Sequence, residues 1–279
     1  MLRRTTRGMT AGVTRRGVGF ATGGGGGAGY DTDAQAYITL VEAEDGESLE
    51  TGVKDAINAF VVGCKSDGIW DAIKASCILA GARTLTGALV PLVGTAPTNN
   101  NFVSGDYNRE TGLVGDGATK YLDSNRNNNA DPQNDQHACV YRTVSGSGNR
   151  SCFGAGTGNP DVGVTAQFTS SGGTEYVVIR TGFYNPITGS SNEIGFIGGS
   201  RSASATYTQR AGGIQVSTSQ VSQTPFDGDV LIFCRGTTAA ISAPTNDRLS
   251  FYSIGESLNL ALLDSRVSTL MTAIGAAIP

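Results

Sequence analysis

The carboxylates whose spacing comes nearest to acid–base chemistry lie in residues 42–47, Glu-Ala-Glu-Asp-Gly-Glu. Cleavage of a glycosidic bond needs two carboxyl groups about 5–9 Å apart. On a strand, alternate residues share one face, so a two-residue period would supply such a pair. This run instead falls at the end of a predicted helix, and we interpret it as a solvated acidic turn. Glu175 and Asp247, in the β-rich part, are expected to stand alone, so we predict no catalytic residue and no enzyme.

His137 is the one histidine of the chain and lies at the start of a predicted strand. A general base needs a nucleophile and an orienting partner within hydrogen-bond reach. The nearby serines, Ser145, Ser147 and Ser151, lack the Gly-x-Ser-x-Gly pattern of a nucleophile elbow. We therefore predict that His137 lies at the surface or at a strand edge.

Metal and redox chemistry have little support in the cysteines, which number five and form no Cys-x-x-Cys pair. Four of them lie in apolar runs: Cys64, Cys77, Cys139 and Cys234. A free thiol there behaves as a small buried hydrophobe, so we predict reduced cysteines. No metal site and no cofactor are predicted. The alternative is a weak calcium site at Asp227 and Asp229, since hard cations take carboxylate and carbonyl oxygens.

Glycan binding is better supported than catalysis in the polar loops of the β-rich part. Lectin-type sites combine asparagine and aspartate side chains with an aromatic ring. The candidate residues are Asn125, Asn127, Asn128, Tyr184 and Asn185. The alternative, which we favour, is that these residues only complete turns and saturate backbone groups.

The elements that position these residues divide the chain into three predicted segments. Residues 1–30 form a flexible, basic, glycine-rich arm, residues 31–94 a helical segment, and residues 95–279 a β-sandwich closed by a C-terminal helix. The first predicted helix begins at a capping box of Thr32 and Gln35. Ser48 and Asp67 are predicted to cap the second and third helices.

Strands are predicted where short apolar runs alternate with turns rich in Gly, Ser and Asn. The predicted runs are 138–143, 162–169, 174–181, 193–197, 205–209, 213–218, 229–235 and 248–254. Short strands at this spacing indicate a sandwich or jelly roll. No stretch reaches about 18 apolar residues, so no membrane span is predicted.

The arm is the predicted docking element. It carries five arginines and no acidic residue, whereas the whole chain has a formal net charge of −4. The arginines are Arg3, Arg4, Arg7, Arg15 and Arg16. A basic end on an acidic body favours contact with an acidic surface. The charge of the arm fits nucleic acid, lipid or an acidic protein as the partner and does not distinguish among them.

Three stretches resemble a known family. Residues 111–122, TGLVGDGATKYL, resemble the first strands of concanavalin A-like lectin/glucanase domains in tailed-phage virion proteins. Residues 249–258, LSFYSIGESL, resemble the close of the same domains, and residues 63–74, GCKSDGIWDAIK, are similar to a helical lead-in found before them. Glucanases of this family carry Glu-x-Asp-x-x-Glu on one strand, and residues 42–47 depart from that pattern.

The resemblance implies a concanavalin A-like jelly-roll β-sandwich displayed on a bacteriophage virion, in capsid decoration, head fibre or tail fibre. We expect a non-enzymatic structural protein, assembled in the host cytoplasm and docked on other virion proteins through the arm. A homo-oligomer is expected, and nucleic acid is not an expected partner. One alternative is a tail adhesin that binds a host receptor or surface glycan. The alternative from another class is a polysaccharide depolymerase.

Overall fold

The structure is a computed structural model that describes residues 29–157, 162–182 and 185–279. The helices in these ranges are α1 (Thr32–Asp45), α2 (Thr51–Ser66), α3 (Leu85–Ala88) and α4 (Leu260–Ala277). The strands are β1 (Ile73–Ile78), β2 (Thr98–Asn100), β3 (Tyr107–Asn108), β4 (Gly112–Val114), β5 (Tyr121–Asn127), β6 (Gln136–Val144), β7 (Phe153–Ala155), β8 (Thr165–Thr169), β9 (Glu175–Ile179), β10 (Gly195–Arg201), β11 (Thr206–Ala211), β12 (Ile214–Ser219), β13 (Asp229–Ile232), β14 (Arg235–Thr237), β15 (Ala240–Ser242) and β16 (Arg248–Gly255).

Two antiparallel sheets form the sandwich. The eight-stranded sheet has the order β12-β11-β10-β6-β16-β4-β3, with β1 also paired to β16. The six-stranded sheet has the order β2-β5-β13-β7-β8-β9, and β14 and β15 form a small separate ribbon. One edge of β16 pairs with β6, and the other pairs with β1 and β4 in succession. This confirms the prediction of a mainly β sandwich with helices before it and a helix at its C-terminal end.

The eight-stranded sheet is buried on both faces, which gives the protein three layers. Phe251 of β16 points to the helices, where its ring lies 5.7 Å from that of Phe60 in α2. Its neighbour Tyr252 points the other way, into the core between the two sheets. Successive side chains of a strand face opposite sides, so burial on both faces requires the continuous apolar run seen in β16.

Helix α4 covers the eight-stranded sheet beside α2. By length and composition alone it is apolar enough to cross a membrane, although no such segment was predicted. In the fold its buried face, which includes Leu263, Val267 and Ile274, packs against α2 and β10. Membrane-like composition here reflects a helix whose apolar face lies in a protein core.

The third predicted helix is wrong, because residues 73–78 form β1. Ala75 and Cys77 face the core between the sheets, whereas Ile78 faces the helical layer. This two-residue alternation and the open edge of β16 favour a strand over a helical turn. Residues 31–94 therefore supply both helices and a strand, and their division from the rest of the chain stays a prediction.

The predicted helix caps are displaced by one or two residues. The N-cap of α1 is Asp31, whose side chain accepts a hydrogen bond from the backbone N of Asp33, and the N-cap of α2 is Glu50. Asp31 lies one residue before the predicted cap Thr32, and Glu50 lies two residues after the predicted cap Ser48. Both first helices lie where the hydrophobic spacing predicts them, since spacing locates a helix better than it locates its ends.

Candidate functional site at the loop end and on the helical layer

Two of the predicted glycan-binding asparagines serve the fold. Asn125 is exposed, but its amide donates to the carbonyl of Ala96 at 2.8 Å and so ties β5 to the segment before β2. Asn128 is fully buried, and its amide donates to the carbonyls of Gly163 (3.1 Å) and Phe226 (3.2 Å). A ligand cannot reach Asn128 in this position, so its prediction as a glycan-binding residue is wrong. Buried loop carbonyls need donors, and Asn128 supplies them.

Asn127 and Asn129 form a small polar group with Asp227. Their amides donate to the same Asp227 oxygen at 2.9 and 3.1 Å. Asn129 and Asp227 are exposed, so an amide–carboxylate group of the kind that suits sugar hydroxyls lies at the loop surface. Asn129 was missed, although the run of consecutive asparagines contains it. We call Asn127, Asn129 and Asp227 the amide cluster.

The other predicted site residues are only partly described. Asn185 is half-buried and has an amide nitrogen without a hydrogen-bond partner. Tyr184 lies outside the described residues, as do all five arm arginines: Arg3, Arg4, Arg7, Arg15 and Arg16.

The proposed calcium ligands do not converge in the described part of the chain. Asp227 is engaged by the amide cluster, and Asp229 begins β13 opposite Asn127. Burial raises the pKa of Asp229, and the nearby charges of Asp123 and Asp227 raise it further. Among the residues that the structure describes, no group of three or more His, Cys, Asp or Glu side chains is arranged to hold a metal ion.

The acidic run at residues 42–47 is partly a solvated turn, since Glu44 and Glu47 are exposed, and partly a structural junction. Glu42 forms an ion pair with Lys54 at 3.2 Å and accepts the backbone N–H of Leu49 at 2.9 Å. The Asp45 carboxylate accepts the backbone N–H groups of Arg83 (2.7 Å) and Thr84 (2.9 Å). These carboxylates satisfy backbone donors at the start of helices, a role that local sequence does not reveal.

His137 is fully buried in β6, so its prediction as a surface or edge residue is wrong. Its Nδ1 lies 2.6 Å from the carbonyl oxygen of Glu256, and its Nε2 lies 2.8 Å from the Ser253 hydroxyl. Burial lowers the pKa of His137 to about 4, because the interior disfavours the charged ring. In the eight-stranded sheet, β6 lies between β10 and β16, and this central position explains the burial of His137.

Glu175 and Asp247 do not stand alone but lie in a buried ion network between the sheets. Both are fully buried, and Arg142 contacts Glu175 at 2.6 Å and Asp247 at 3.0 Å. Arg150 contacts the second oxygen of Asp247 at 2.8 Å. Burial alone would raise the pKa of Asp247, but the Arg142 charge and hydrogen bonds from Cys152 and Gly146 leave that pKa lowered. Both carboxylates are therefore paired with arginine and withdrawn from solvent.

The helical layer carries an apolar groove next to the point where the arm joins the body. Helix α1 and residues 86–97 line two adjoining cavities of about 370 and 350 Å³, which share Leu40 and Pro91. The Leu40 side chain is 55% exposed. Glu44 lines one cavity and Asp33 the other, so the rim is acidic. We call this surface the α1 groove.

The junction between arm and body is firmly bonded to α2. The hydroxyl of Tyr30 donates to Asp55 at 2.8 Å, and the backbone N–H of Asp31 donates to Asn58 at 2.8 Å. Lys65 contacts Asp31 at 2.6 Å. The arm therefore leaves the body from the helical layer, on the side opposite the six-stranded sheet.

The fold defines the chain as a two-sheet β-sandwich protein with a helical layer on one face. No protein-family model matches it, and the comparison with curated proteins gives no match. Similar solved structures include the NanB sialidase from Streptococcus pneumoniae (16% identity, TM-score 0.36, 49% of this chain and 24% of that one).

Two further solved structures are similar over part of their length. They are the botulinum neurotoxin serotype D binding domain (13% identity, TM-score 0.47, 71% of this chain and 51% of that one) and the CBM40 of the Ruminococcus gnavus IT-sialidase (12% identity, TM-score 0.36, 47% and 82%). The chain thus spans about a quarter of the sialidase structure and about half of the toxin structure.

Proposed function

We propose that this protein is a structural component of a bacteriophage virion, docked through its arm and displaying its β-sandwich. The α1 groove, an apolar surface with an acidic rim at the origin of a basic arm, supports docking through the arm. The resemblance of residues 111–122 and 249–258 to phage virion domains supports the location. A fold of this type hosts many functions, so the sandwich by itself does not indicate which function this chain has. Location in the virion and assembly in the host cytoplasm are part of the proposal.

The occupant that fits the α1 groove is the arm of a second copy of the chain. The arm contains apolar side chains, among them Val18 and Phe20, close to Arg15 and Arg16. Helix α1 has four acidic residues and no basic one, so the arm and this face are complementary in charge. Lys54 and Lys65 offset part of that charge.

The length of the arm permits an exchange between copies. Phe20 lies ten positions before Tyr30, a span of about 33 Å of extended chain. A segment of that reach can leave one body and enter the groove of the next, as in assemblies held by exchanged arms. Successive exchange would give the homo-oligomer that a virion protein needs.

The test compares the mass of the full chain in solution with that of three variants, by light scattering after size exclusion. Deletion of residues 1–28 and Leu40→Asp should each convert the oligomer to monomer while the far-UV circular dichroism of the body is kept. Val62→Asp is the matched control, because Val62 is 46% exposed on α2 and lies outside the groove. A monomeric full chain, or equal loss with Val62→Asp, would contradict the exchange.

The location is tested separately by immunogold labelling of purified particles from a culture that produces the protein. Gold on the particle, lost when residues 1–28 are deleted, is the expected result. Protein found only outside particles would refute the virion role while leaving the exchange between copies intact.

Glycan binding at the loop end is a second candidate, favoured by the exposed amide cluster. A glycan array with the full chain is the test, and binding should disappear in the double variant Asn127→Ala and Asn129→Ala. Asn125→Ala is the control, because that exposed amide lies outside the cluster. Binding that survives the double variant would place the sugar elsewhere, and no binding at all would leave only the structural role.

A further inference from the structure

Two buried guanidinium groups meet at one end of the space between the sheets. Arg180 follows β9 and Arg201 ends β10, and both are fully buried. Arg201 lies directly opposite Gln136 in the pairing of β10 with β6. The same Gln136 accepts a hydrogen bond from Nε of Arg180 at 2.7 Å, and Nε of Arg201 donates to the carbonyl of Ile179, next to Arg180, at 2.8 Å. The two side chains therefore approach each other from opposite sheets.

Each of these groups keeps one nitrogen without a partner. Nη1 of Arg180 donates to the carbonyls of Asp131 and Pro132, and Nη1 of Arg201 donates to carbonyls that include those of Ala203 and Ser204. Nη2 of both arginines is buried and makes no hydrogen bond. A buried donor left unpaired is costly, and a charged one more so, which makes two in one place unusual.

Other unpaired buried atoms lie in the same loops. The donors are Nε of Arg126 and the hydroxyl of Thr181, and the acceptors are Oδ2 of Asp131 and Oδ1 of Asn134. With the two Nη2 atoms, donors outnumber acceptors in this region. A bound group that accepts hydrogen bonds would satisfy the excess.

The charges nearby are not balanced by carboxylates. Arg126, Arg180 and Arg201 bring three positive charges, and Asp131 and Asp135 are the carboxylates that act on Arg180. Asp131 is already in an ion pair with Arg126, and neither Arg180 nor Arg201 forms an ion pair with a described residue. Arg201 also lies over the ring of Tyr207, 5.0 Å from the ring centroid. One positive charge is still left without a carboxylate among buried groups, where an ion without a counter-charge is disfavoured.

We propose that Nη2 of Arg180 and Nη2 of Arg201 bind one small monovalent anion, of the size of a halide ion or a single carboxylate group. Such an ion accepts hydrogen bonds from several donors and balances the excess positive charge. A water molecule also accepts hydrogen bonds but leaves the charge unbalanced. The enclosure of both side chains excludes a large ligand. The exposed Ser202–Ser204 turn, whose carbonyls hold Arg201, is the wall between this site and solvent.

The first test measures thermal unfolding of the full chain in sodium chloride, bromide or acetate. Sodium HEPES at the same ionic strength is the reference, because its bulky anion does not fit the enclosure. A saturable rise in Tm is expected, of about 5–10 °C at an anion concentration one hundred times the Kd. A halide or acetate response supports the site and identifies which anion it takes, and equal Tm values in all four salts would overturn it.

Arg201→Gln removes one of the two donors and should abolish the specific rise in Tm. Arg210→Gln is the control, because Arg210 has a carboxylate partner, Asp264, at 2.7 Å and lies outside the site. Its response to the anion should equal that of the unchanged chain. A rise in Tm that persists in Arg201→Gln would refute the assignment.

Crystals grown in bromide test the site without any variant. An anomalous peak within 3.5 Å of both Nη2 atoms is expected. Ordered water alone at that position would overturn the proposal, even if Arg201→Gln failed to fold.

Discussion

Replacing Asp247 by asparagine should be among the most destabilising single changes in the chain. Asp247 is fully buried, and its two oxygens lie 3.0 Å from Nε of Arg142 and 2.8 Å from Nε of Arg150. Asparagine keeps the shape but removes the charge. Arg142 then keeps the buried carboxylate of Glu175, whereas Arg150 keeps no carboxylate partner among the described residues.

The expected cost follows from that burial. Breaking a buried ion pair by removing one partner costs about 3–5 kcal/mol of unfolding free energy. For a chain of this size, each kcal/mol lowers Tm by about 2–4 °C, so Asp247→Asn should lower Tm by about 6–20 °C. The pKa of Asp247 is lowered in the fold, so its contribution is present above its unfolded pKa of about 3.9. That contribution is lost as pH falls through the folded pKa, and the difference between the two proteins should shrink only in acid.

The assay is urea unfolding at pH 7, monitored by the fluorescence of Trp70 and by far-UV circular dichroism. Agreement between the two signals tests two-state behaviour. Glu256→Gln is the control, because its pair with Lys74 is half exposed, at 3.2 Å, and should contribute less than about 1 kcal/mol. An unfolding free energy for Asp247→Asn within 1 kcal/mol of the unchanged chain would show that the network contributes no net electrostatic stability.

Three further predictions concern titration, backbone strain and thiols. Burial lowers the pKa of His137 to about 4, so unfolding takes up a proton between pH 6.5 and 4. The free energy of unfolding should therefore fall by up to about 3 kcal/mol as the pH is lowered over that range. His137→Gln should remove this part of the pH dependence of the urea midpoint. Gly112→Ala should lower the unfolding free energy by more than about 2 kcal/mol, because Gly112 has φ +95° and a Cβ would lie within 2.2 Å of the Leu249 carbonyl oxygen. Gly148→Ala, with positive φ but open space, is its control and should cost about 1 kcal/mol, and equal losses would contradict the steric argument. All five buried thiols should resist a thiol reagent in the folded chain and react after unfolding, and labelling of the native protein at the rate of the unfolded one would disprove their burial.

The class of fold follows from local patterns. Each of the eight predicted strand runs overlaps a strand, and α2 and α4 lie where their hydrophobic spacing predicts. The eight runs miss several short strands, such as β2 and β7, and also β1, whose residues fit a helical spacing when considered alone. The unpaired edge of β16 decides for a strand, and it lies more than 170 residues further along the chain.

The candidate sites could be predicted much less well. Asn125, Asn127 and Asn128 belong to the same polar stretch of sequence, yet Asn125 ties two segments together and Asn128 is buried as a donor. Only their neighbours distinguish these roles, and those neighbours include Phe226, which is 98 positions away from Asn128. Composition identifies a polar loop without telling which of its side chains remain free for a ligand.

By itself the sequence determines a β-sandwich with flanking helices, a basic arm and buried thiols, because strand and helix periods and runs of charge are local properties. Only the tertiary structure decides which charges meet. Arg150 and Asp247 are 97 positions apart, and Arg180 and Arg201 come from different sheets. Whether a charge is paired depends on burial and on partners brought together by folding, and no local pattern records either.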